Sequence, residues 1–317
     1  MIFLLLAVVC SSSIALIFKY TEKQEFNRYV VTSANYLAAS AISFIIILTD
    51  TSTMAHISEA LASFPEDLTS FIIHIPGILL NSEPEFPQGT AILWPVFIGP
   101  AAGVFFFLAF IFYQKSVREN GAGPSSMFGK LGILVPMCLS MLIWCEVPTA
   151  FGWIGIVLSV SAIILSSWTR GVAMLEKQGA NLQVSLLFLL LLFMGIAEFS
   201  NKVFQQYGGT DYRAVFLFFV FLTAGILSGV LAFRKNATIR GSHILAGFIV
   251  GVPNLFSSYF LIMSLNTVKA AVAFPVFSAG GIALITIGSR ALFKEKLTKK
   301  MYAAILLTAV AVVFINL

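Results

Sequence analysis

Long apolar stretches separated by short polar segments run along almost the whole chain. A helix needs about 20 mostly apolar residues to cross the hydrocarbon of a bilayer, and the chain contains ten such stretches. The alternating pattern of a membrane barrel strand is absent. The pattern therefore predicts an all-α polytopic membrane protein with ten transmembrane helices. The predicted spans are residues 2–18, 30–48, 91–113, 124–144, 149–167, 182–203, 212–233, 243–265, 270–289 and 300–317.

The segment 49–90 departs from this pattern. It contains six acidic residues and no Lys or Arg, and its apolar part covers only residues 68–80. Thirteen residues are too few to span a bilayer, and His74 and Pro76 interrupt them. We expect a long acidic loop that contains a short interfacial or re-entrant helix.

The composition excludes several classes of protein. Of the 317 residues, 59% are hydrophobic and only 10% are charged, whereas a soluble domain has about 25% charged residues. The net charge of +5 is spread too thinly to follow a phosphate backbone. A soluble enzyme, a disordered chain and a nucleic-acid binder are therefore excluded.

The sequence contains no motif of known catalytic or metal chemistry. It has no HExxH, GxSxG, P-loop or Rossmann fingerprint, and its three cysteines lie in apolar stretches without CxxC spacing. We expect no enzyme activity, no catalytic residue, no metal and no cofactor. Any pumping must then use an ion gradient or an exchange reaction instead of ATP.

The distribution of basic residues predicts the orientation of the chain in the membrane. Fifteen Lys and Arg residues follow odd-numbered spans, and three follow even-numbered spans. Because cytoplasmic loops carry the excess of basic residues, we expect odd-numbered loops in the cytoplasm and both termini outside. The expected location is the plasma or inner membrane of the cell.

Two halves of the chain resemble each other. Spans 3–5 and 8–10 match at an offset of about 149 residues, and Pro100 and Pro253 interrupt spans 3 and 8 at nearly equivalent positions. Because each half has five spans, the second half must be inserted in the opposite orientation. Inverted repeats with interrupted helices are typical of alternating access around a cavity near the midplane.

This repeat predicts the domain organisation. We expect a first five-helix repeat over residues 1–167, a linker over 168–181 and a second five-helix repeat over 182–317. The two repeats are expected to enclose a central cavity. Glu146 and Glu295 precede the last span of each repeat. We expect both to be structural, because the dipole of the helix that follows stabilises an acid in its first turn.

Five plus five spans, with a Glu just before the last helix of each half, resemble the drug/metabolite transporter superfamily, in particular its EamA-like branch. The resemblance covers nearly the whole chain outside residues 49–90 and implies a ten-helix transporter. The chain departs from the family in two respects. The long acidic loop is unusual, and family members are commonly described with cytoplasmic termini, whereas the basic residues here predict termini outside.

Polar residues within the spans are the candidates for transport, because a charged side chain at the centre of a spanning helix costs at least ~2.5 kcal/mol. Glu198, Asn201, Lys202 and Gln205 form a polar stripe on span 6. Glu198 is the candidate titratable group, and Lys202 is its i, i+4 partner or binds a substrate carboxylate. The alternative is an interfacial pair in which Lys202 extends towards the membrane surface.

Lys130 in span 4 is a candidate for holding an anionic substrate group, and Pro136 is expected to kink this span. Its ammonium could equally extend to the nearer membrane surface. In span 8, Asn254, Ser257 and Ser258 are candidates for a polar pocket wall. The alternative for span 8 is helix packing through small residues.

Four further residues complete the candidate binding set. Asn35 and Tyr36 in span 2 line the predicted cavity or form interhelical hydrogen bonds. Phe107 and Phe277 are the aromatic residues that we select as candidates for stacking on a substrate.

These residues predict a secondary active transporter that moves a small organic metabolite by alternating access. Two lysines and one glutamate favour an anionic or zwitterionic substrate, such as an amino acid-like, vitamin-like or nucleotide-like molecule. One alternative is efflux of cationic drugs or amines. Two alternatives belong to other functional classes. One is a membrane receptor or assembly subunit without transport, and the other is an intramembrane enzyme. Expected partners are the substrate, a coupling proton or ion and the lipid bilayer, with no nucleic acid; a monomer is expected, with a dimer as the alternative.

Overall fold

The structure is a computed structural model and describes residues 1–79, 86, 90–178, 183–208, 210–294 and 297–315. The regular secondary structure of these residues is helical. The helices are α1 (Ile2–Lys23), α2 (Arg28–Thr49), α3 (Thr51–Ala62), α4 (Phe64–Leu79), α5 (Leu93–Asn120), α6 (Ala122–Leu131), α7 (Leu134–Trp144), α8 (Ala150–Gln178), α9 (Val184–Tyr207), α10 (Arg213–Arg234), α11 (Gly241–Leu265), α12 (Ala270–Phe293) and α13 (Lys299–Ile315), with a 3₁₀ turn at Thr210–Tyr212.

Within the described residues, eight helical segments are long and apolar enough to cross a membrane. They are Ile2–Lys23, Arg28–Thr49, Leu93–Asn120, Pro124–Trp144, Val184–Tyr207, Arg213–Arg234, Gly241–Leu265 and Ala270–Phe293. These segments confirm eight of the ten predicted spans and make the chain a multi-pass membrane protein. Large apolar side chains such as Phe233, 85% exposed, and Leu306, 66% exposed, remain on the surface of the helices, as expected where lipid is the solvent.

The other two predicted spans are not among these eight segments. Span 5 falls in α8, whose apolar part is Ala150–Ser166, and span 10 falls in α13. These two crossings stay predictions. Helix α8 continues to Gln178 and so includes most of the segment 168–181 that was expected to be a linker. Residues 179–181 of that segment lie outside the described residues.

Span 4 is interrupted in its middle. Helix α6 ends at Leu131 and α7 begins at Leu134. Pro136 has no N–H to donate to the carbonyl of Gly132, and this carbonyl instead accepts a hydrogen bond from the N–H of Val135 at 3.0 Å. The kink expected from Pro136 is therefore a break between two short helices.

The acidic segment folds into two helices instead of one short helix in a loop. Asp50 ends α2 and begins α3, because its carboxylate accepts hydrogen bonds from the hydroxyls of Ser52 at 2.6 Å and Thr53 at 2.8 Å and from both backbone N–H groups. This capping explains why a helix starts at Thr51, where sequence periodicity alone predicted a loop. The predicted interfacial or re-entrant position of the segment stays a prediction.

Aromatic contacts attach the two helices of the acidic segment to the rest of the chain. The ring of Phe71 on α4 stacks on Phe86 and Phe97, with centroids 4.9 and 5.4 Å apart. The hydroxyl of Tyr212, just before α10, is 3.0 Å from Nδ1 of His56 on α3. The segment therefore packs on α5 and on the start of α10.

Contacts divide the chain into two compact units. Unit 1 consists of Met1–Glu25, Phe105–Phe199 and Met263–Leu317, and unit 2 consists of Phe26–Val104 and Ser200–Ile262. Each unit contains spans from both predicted repeats. The two units are therefore a different subdivision of the chain from the predicted repeat domains, which stay a prediction.

In unit 1, α1 and α12 pack side by side in the same direction. A Cβ atom added at Gly280 would lie 3.1 Å from the Val8 side chain, and further along both helices the ammonium of Lys19 donates to the hydroxyl of Ser289 at 3.0 Å. Helices α8 and α13 also pack together, because the ring centroids of Phe151 and Phe314 are 6.3 Å apart.

In unit 2, α2 and α10 pack along each other in opposite directions. Ser33 donates to the carbonyl of Gly225 and Ser40 donates to the carbonyl of Phe218, both at 3.3 Å. The lower-numbered serine meets the higher-numbered carbonyl, so the helices are antiparallel. Serine hydroxyls that donate to a neighbouring helix are a common device of membrane proteins.

Two pairs of glycines bring helices of unit 2 into backbone contact. Gly99 and Gly103 of α5 face α10, whereas Gly247 and Gly251 of α11 face α2. A Cβ added at Gly247 would lie 2.6 Å from the carbonyl oxygen of Val31, which is closer than any real Cβ contact. Small residues spaced by four are the usual means of close helix approach in membranes.

We predict that Gly247→Ala lowers the free energy of unfolding by about 1–3 kcal/mol, because overpacking of this order follows when a methyl group is forced against backbone. Equilibrium unfolding in detergent micelles measures the change. Gly241→Ala on the same helix is the control, since no atom lies within 4 Å of its added Cβ. Equal stability of the Gly247 variant and the native protein would contradict the contact.

A second prediction concerns the cap of α3. Hydrogen bonds from Ser52 and Thr53 lower the pKa of Asp50 to about 2, below the value of about 3.9 in an unfolded chain. The cap therefore stabilises α3 fully above about pH 4 and is lost as the pH falls through about 2. At neutral pH, Asp50→Ala should speed amide exchange in α3, measured by mass spectrometry, whereas Asp50→Asn should not, because Asn caps as well as Asp. Unchanged exchange in Asp50→Ala would disprove the cap.

Candidate functional site

A group of polar residues in unit 1 surrounds the break between α6 and α7. Lys130 is half-buried in the last turn of α6, where the negative end of the helix dipole favours a cation. The carboxylate of Glu198 on α9 interacts electrostatically with its ammonium. The structure therefore brings together two candidates that the sequence had placed on separate spans.

Helix α12 forms the other side of this group. The hydroxyl of Ser278 donates to the carbonyl of Lys130 at 3.3 Å. A Cβ added at Gly281 would lie 4.0 Å from Nζ of Lys130, so the ammonium lies over a position without a side chain. The hydroxyl of Ser12 on α1 donates to the carbonyl of Val8 at 2.6 Å and also lies 3.4 Å from the carbonyl oxygen of Gly281. We call these five residues, Lys130, Glu198, Ser278, Gly281 and Ser12, the Lys130 cluster.

Ser278, Gly281 and Ser12 were not among the sequence candidates. The adjacent glycines of span 9, Gly280 and Gly281, and the serines of span 1 were the local signals, because small residues permit close approach of spanning helices and serines form hydrogen bonds between them. Which neighbour makes that approach depends on the packing of four different segments of the chain. No periodicity within one segment could reveal it.

Asn35 and Asn254 form a second polar contact, in unit 2. The Nδ2 atom of Asn254 donates to Oδ1 of Asn35 at 3.1 Å, and Asn35 is only 3% exposed. Gly247 and Gly251 bring α11 against α2 beside this pair. The packing alternative for span 8 therefore accounts for the glycines, and an interhelical hydrogen bond accounts for the two amides.

The remaining candidates of unit 2 are buried. Tyr36 stacks on Phe221, with ring centroids 6.1 Å apart and planes tilted by 22°. Ser257 and Ser258 are 5% and 8% exposed. Their proposed contact with substrate stays a prediction.

Lys202 is almost completely buried in unit 2, with 2% exposure. Its ammonium donates to the amide oxygens of Gln205 at 2.8 Å and Gln206 at 3.0 Å. These amides explain how a cation is accommodated there. Asn201 is fully buried. The ion pair between Glu198 and Lys202 stays a prediction.

The two aromatic candidates differ in burial. Phe277 on α12 is 7% exposed, and Phe107 on α5 is half-buried. Another aromatic pair of unit 1 is Phe193 and Phe112, whose stacked rings have centroids 4.7 Å apart. The stacking role proposed for Phe107 and Phe277 stays a prediction.

Glu146 stabilises a different helix from the one expected. Its carboxylate accepts a hydrogen bond from the N–H of Ala270 at 2.7 Å, at the first residue of α12. The dipole argument therefore holds for α12, which is distant in sequence, and not for α8, which follows Glu146 in the chain. Glu295, its counterpart in the second half, lies outside the described residues.

Chemically, these groups can bind charged and polar parts of a small molecule. Among the described residues, no group of three or more His, Cys, Asp and Glu side chains could hold a metal ion. The Lys130 cluster offers one cation, one carboxylate and two hydroxyls. The Asn35 and Asn254 amides offer both donors and acceptors.

Comparisons with known proteins agree with this picture of a membrane transporter. Residues 217–308, from α10 into α13, match the family model of the Small Multidrug Resistance protein. This is a small transporter family related to the drug/metabolite transporters. The match and the helical membrane fold indicate a transporter. The EamA-like branch stays a prediction.

Two proteins are similar over nearly the whole chain. An uncharacterized protein of Haemophilus influenzae is 23% identical over 313 residues, which cover 98% of this chain and 95% of that protein. A crystal structure of another protein aligns with 99% of this chain and 94% of its own, with a TM-score of 0.67 and 13% identity. At that identity the likeness concerns the fold alone.

We predict that the Asn35 and Asn254 side chains are energetically coupled. In a double-mutant cycle with alanine at each position, the coupling energy should be about 0.6 kcal/mol and at most about 1.7 kcal/mol, the range of hydrogen bonds between membrane helices. Unfolding in detergent micelles measures it. As a control, Asn35 and Ser159, which lie in different units, should be additive within about 0.5 kcal/mol. Additivity of the two asparagines would contradict the hydrogen bond.

Proposed function

We propose that this protein is a secondary active transporter that moves a small organic metabolite by alternating access of two inverted five-helix repeats. The proposal rests on one observation: the contacts of two glycine pairs are repeated, atom for atom, between the two halves of the chain. The Lys130 cluster then supplies the chemistry for the substrate.

The first glycine pair lies on α5, which is span 3, and packs on α10, which is span 7. These are the third span of the first repeat and the second span of the second repeat. A Cβ added at Gly99 would meet the carbonyl oxygen of Phe216, the Cβ of Phe219 and the backbone nitrogen of Val220, at 3.1, 2.7 and 3.6 Å. These atoms belong to positions i, i+3 and i+4 of one helix.

The second glycine pair lies on α11, which is span 8, and packs on α2, which is span 2. These are the third span of the second repeat and the second span of the first repeat. A Cβ added at Gly247 would meet the carbonyl oxygen of Val31, the Cβ of Ala34 and the backbone nitrogen of Asn35. The same three atom types again come from positions i, i+3 and i+4. The two glycines are 148 residues apart, and each pair of equivalent partner positions is 185 residues apart.

The same match recurs one turn later, at Gly103 and Gly251. Gly103 faces the carbonyl oxygen of Val220, at 2.5 Å, and Gly251 faces that of Asn35, at 2.8 Å. These partner positions are again 185 residues apart. When two halves are related by a two-fold axis, a contact between one residue of the first half and one of the second is repeated between their two equivalents. Such a relation between halves of a membrane protein supports inverted repeats.

Helix directions support the same relation. With five spans per repeat, equivalent spans must run in opposite directions across the membrane. Spans 2 and 7, which are α2 and α10, are antiparallel, as the serine contacts of unit 2 show. In unit 1, Phe151 near the start of α8 meets Phe314 near the end of α13, so spans 5 and 10 are antiparallel as well.

The Lys130 cluster supports an anionic or zwitterionic substrate. A lysine within a spanning segment costs at least ~2.5 kcal/mol unless it is paired or hydrated. Lys130 lies beside a break between two half-helices, and in transporters with inverted repeats the N-terminal end of such a half-helix points at anionic substrate groups. In the proposed mechanism Lys130 binds the anionic group of the substrate, and Glu198 takes up or releases the coupling proton.

Efflux of cationic drugs or amines is the second candidate. It is favoured by the match of residues 217–308 to a family named for multidrug resistance, and Glu198 would then bind the cation. The proposed orientation, with odd-numbered loops in the cytoplasm and termini outside, applies to both candidates. A receptor or assembly subunit without transport would instead show no flux at all.

We predict that one pair of variants separates these candidates. A thermal-shift screen of carboxylates, amino acids and nucleotides against quaternary amines identifies the ligand, since a ligand at about 100 times its Kd stabilises by about 2.7 kcal/mol. For an anionic or zwitterionic ligand, Lys130→Met should abolish the shift and the flux into proteoliposomes. Glu198→Gln should keep the shift and lose accumulation driven by a proton gradient.

The controls are surface residues with the same charges. Lys235→Met, at the exposed C-terminal end of α10, and Glu119→Gln, which pairs with exposed Arg118, should behave as the native protein. Efflux of cationic drugs or amines would be established if quaternary amines raise the melting temperature of the native protein and of Lys130→Met but not that of Glu198→Gln. Binding and flux unchanged in both variants would refute a role for the Lys130 cluster.

A further inference from the structure

A groove in unit 1 lies between α8 and α13, with a volume of 420 Å³. It is lined by Ser161, Ile164, Leu165, Lys300 and Leu307, and none of these belongs to the candidate transport residues. We propose that this groove binds an anionic phospholipid, with an acyl chain between the two helices and the phosphate at Lys300.

The walls of the groove suit an acyl chain. Ile164, Leu165 and Leu307 are aliphatic, and Ser161 is small. On the same two helices, Val157 is 61% exposed and Leu306 is 66% exposed. Exposed apolar residues on helices of a membrane protein face lipid, so acyl chains are the solvent at this surface.

The length of the groove matches one part of a lipid. Lys300 and Leu307 are seven residues apart on α13, which is about 10 Å at a rise of about 1.5 Å per residue. This is about a third of the ~30 Å hydrocarbon thickness. Lys300 lies in the first turn of α13, so the groove runs from the end of that helix towards its middle. A phospholipid has the same order, with a charged group at the surface and a chain below it.

The charge at the rim is complementary to a phosphate. Segment 290–300 contains five basic residues and a single acid, and α13 begins with Lys299 and Lys300. Cations are unfavourable at the N-terminus of a helix, because the dipole there is positive. A phosphate beside Lys300 would compensate both the lysines and the dipole. Basic residues next to a spanning helix attract anionic lipids.

A second copy of the chain is a poorer occupant. Stable protein interfaces involve about 20–30 residues on each side, whereas five side chains line this groove. A free phosphate would use Lys300 and leave the aliphatic walls without a role. A lipid uses both.

The experiment measures phospholipid binding to the full chain by native mass spectrometry in detergent. Phosphatidylglycerol and phosphatidylcholine with identical acyl chains are compared. The native protein should prefer phosphatidylglycerol, and Lys300→Gln should reduce that preference about fivefold, the factor for one lysine near an anionic lipid. Lys299→Gln is the matched control, with the same charge change at the neighbouring position outside the groove, and should keep most of the preference.

A second variant tests the acyl site. Ser161→Phe fills the groove and should weaken binding of both lipids, whereas Ser185→Phe, at an exposed position of α9, should not. Melting temperatures verify folding, and Lys300→Gln remains informative if Ser161→Phe fails to fold, since Lys300 is exposed.

Four outcomes would overturn the proposal. Equal loss of preference in Lys300→Gln and Lys299→Gln would indicate general surface charge. Unchanged binding in folded Ser161→Phe would show that the groove is not used. Competition by inorganic phosphate at the affinity of the lipid would show that the acyl chain contributes nothing. A change of oligomeric state in the groove variants would identify an interface between copies.

Discussion

Helices in a bilayer associate without a hydrophobic driving force, so close van der Waals contact has to hold them together. In unit 2 this contact depends on four glycines. Gly99 and Gly103 bring α5 onto the backbone of α10, and Gly247 and Gly251 bring α11 onto α2. Any Cβ at these positions would overlap a neighbouring backbone or Cβ atom. The close packing of α5 on α10 and of α11 on α2 follows from this steric condition.

Close approach in turn decides which polar side chains meet. An amide in hydrocarbon needs a partner, and Asn254 finds one in Asn35 because Gly247 and Gly251 of the same helix hold α11 against α2. In unit 1, Gly281 and Ser278 of α12 border Lys130: the ammonium lies 4.0 Å from the position of a Cβ on residue 281, and the carbonyl of Lys130 accepts a hydrogen bond from Ser278. Small residues therefore lie beside polar contacts in both units. The chemistry proposed for transport uses positions that packing has created.

Local sequence predicted the helices better than it predicted their ends and interruptions. Eight spans were recognised from apolar stretches alone, and Pro136 correctly indicated a disturbance of span 4. The helices in the acidic segment were harder to predict, because the cap at Asp50 and the aromatic contacts of Phe71 outweigh weak periodicity. For Glu146 the dipole argument was sound, but the helix that it caps lies 124 residues further along the chain.

The amino-acid sequence by itself determined that the chain is a polytopic helical membrane protein, because hydropathy is a property of each segment and needs no partner. It also determined that polar residues within the spans are few. Only the tertiary structure decided that Lys130 lies within the electrostatic reach of Glu198, that Gly281 and Ser278 border it, and that α8 and α13 leave a groove. Each of these depends on contacts between segments that are far apart in the chain. A pattern within one segment does not specify its neighbours, because many helices present similar apolar surfaces and only the fitted packing selects among them.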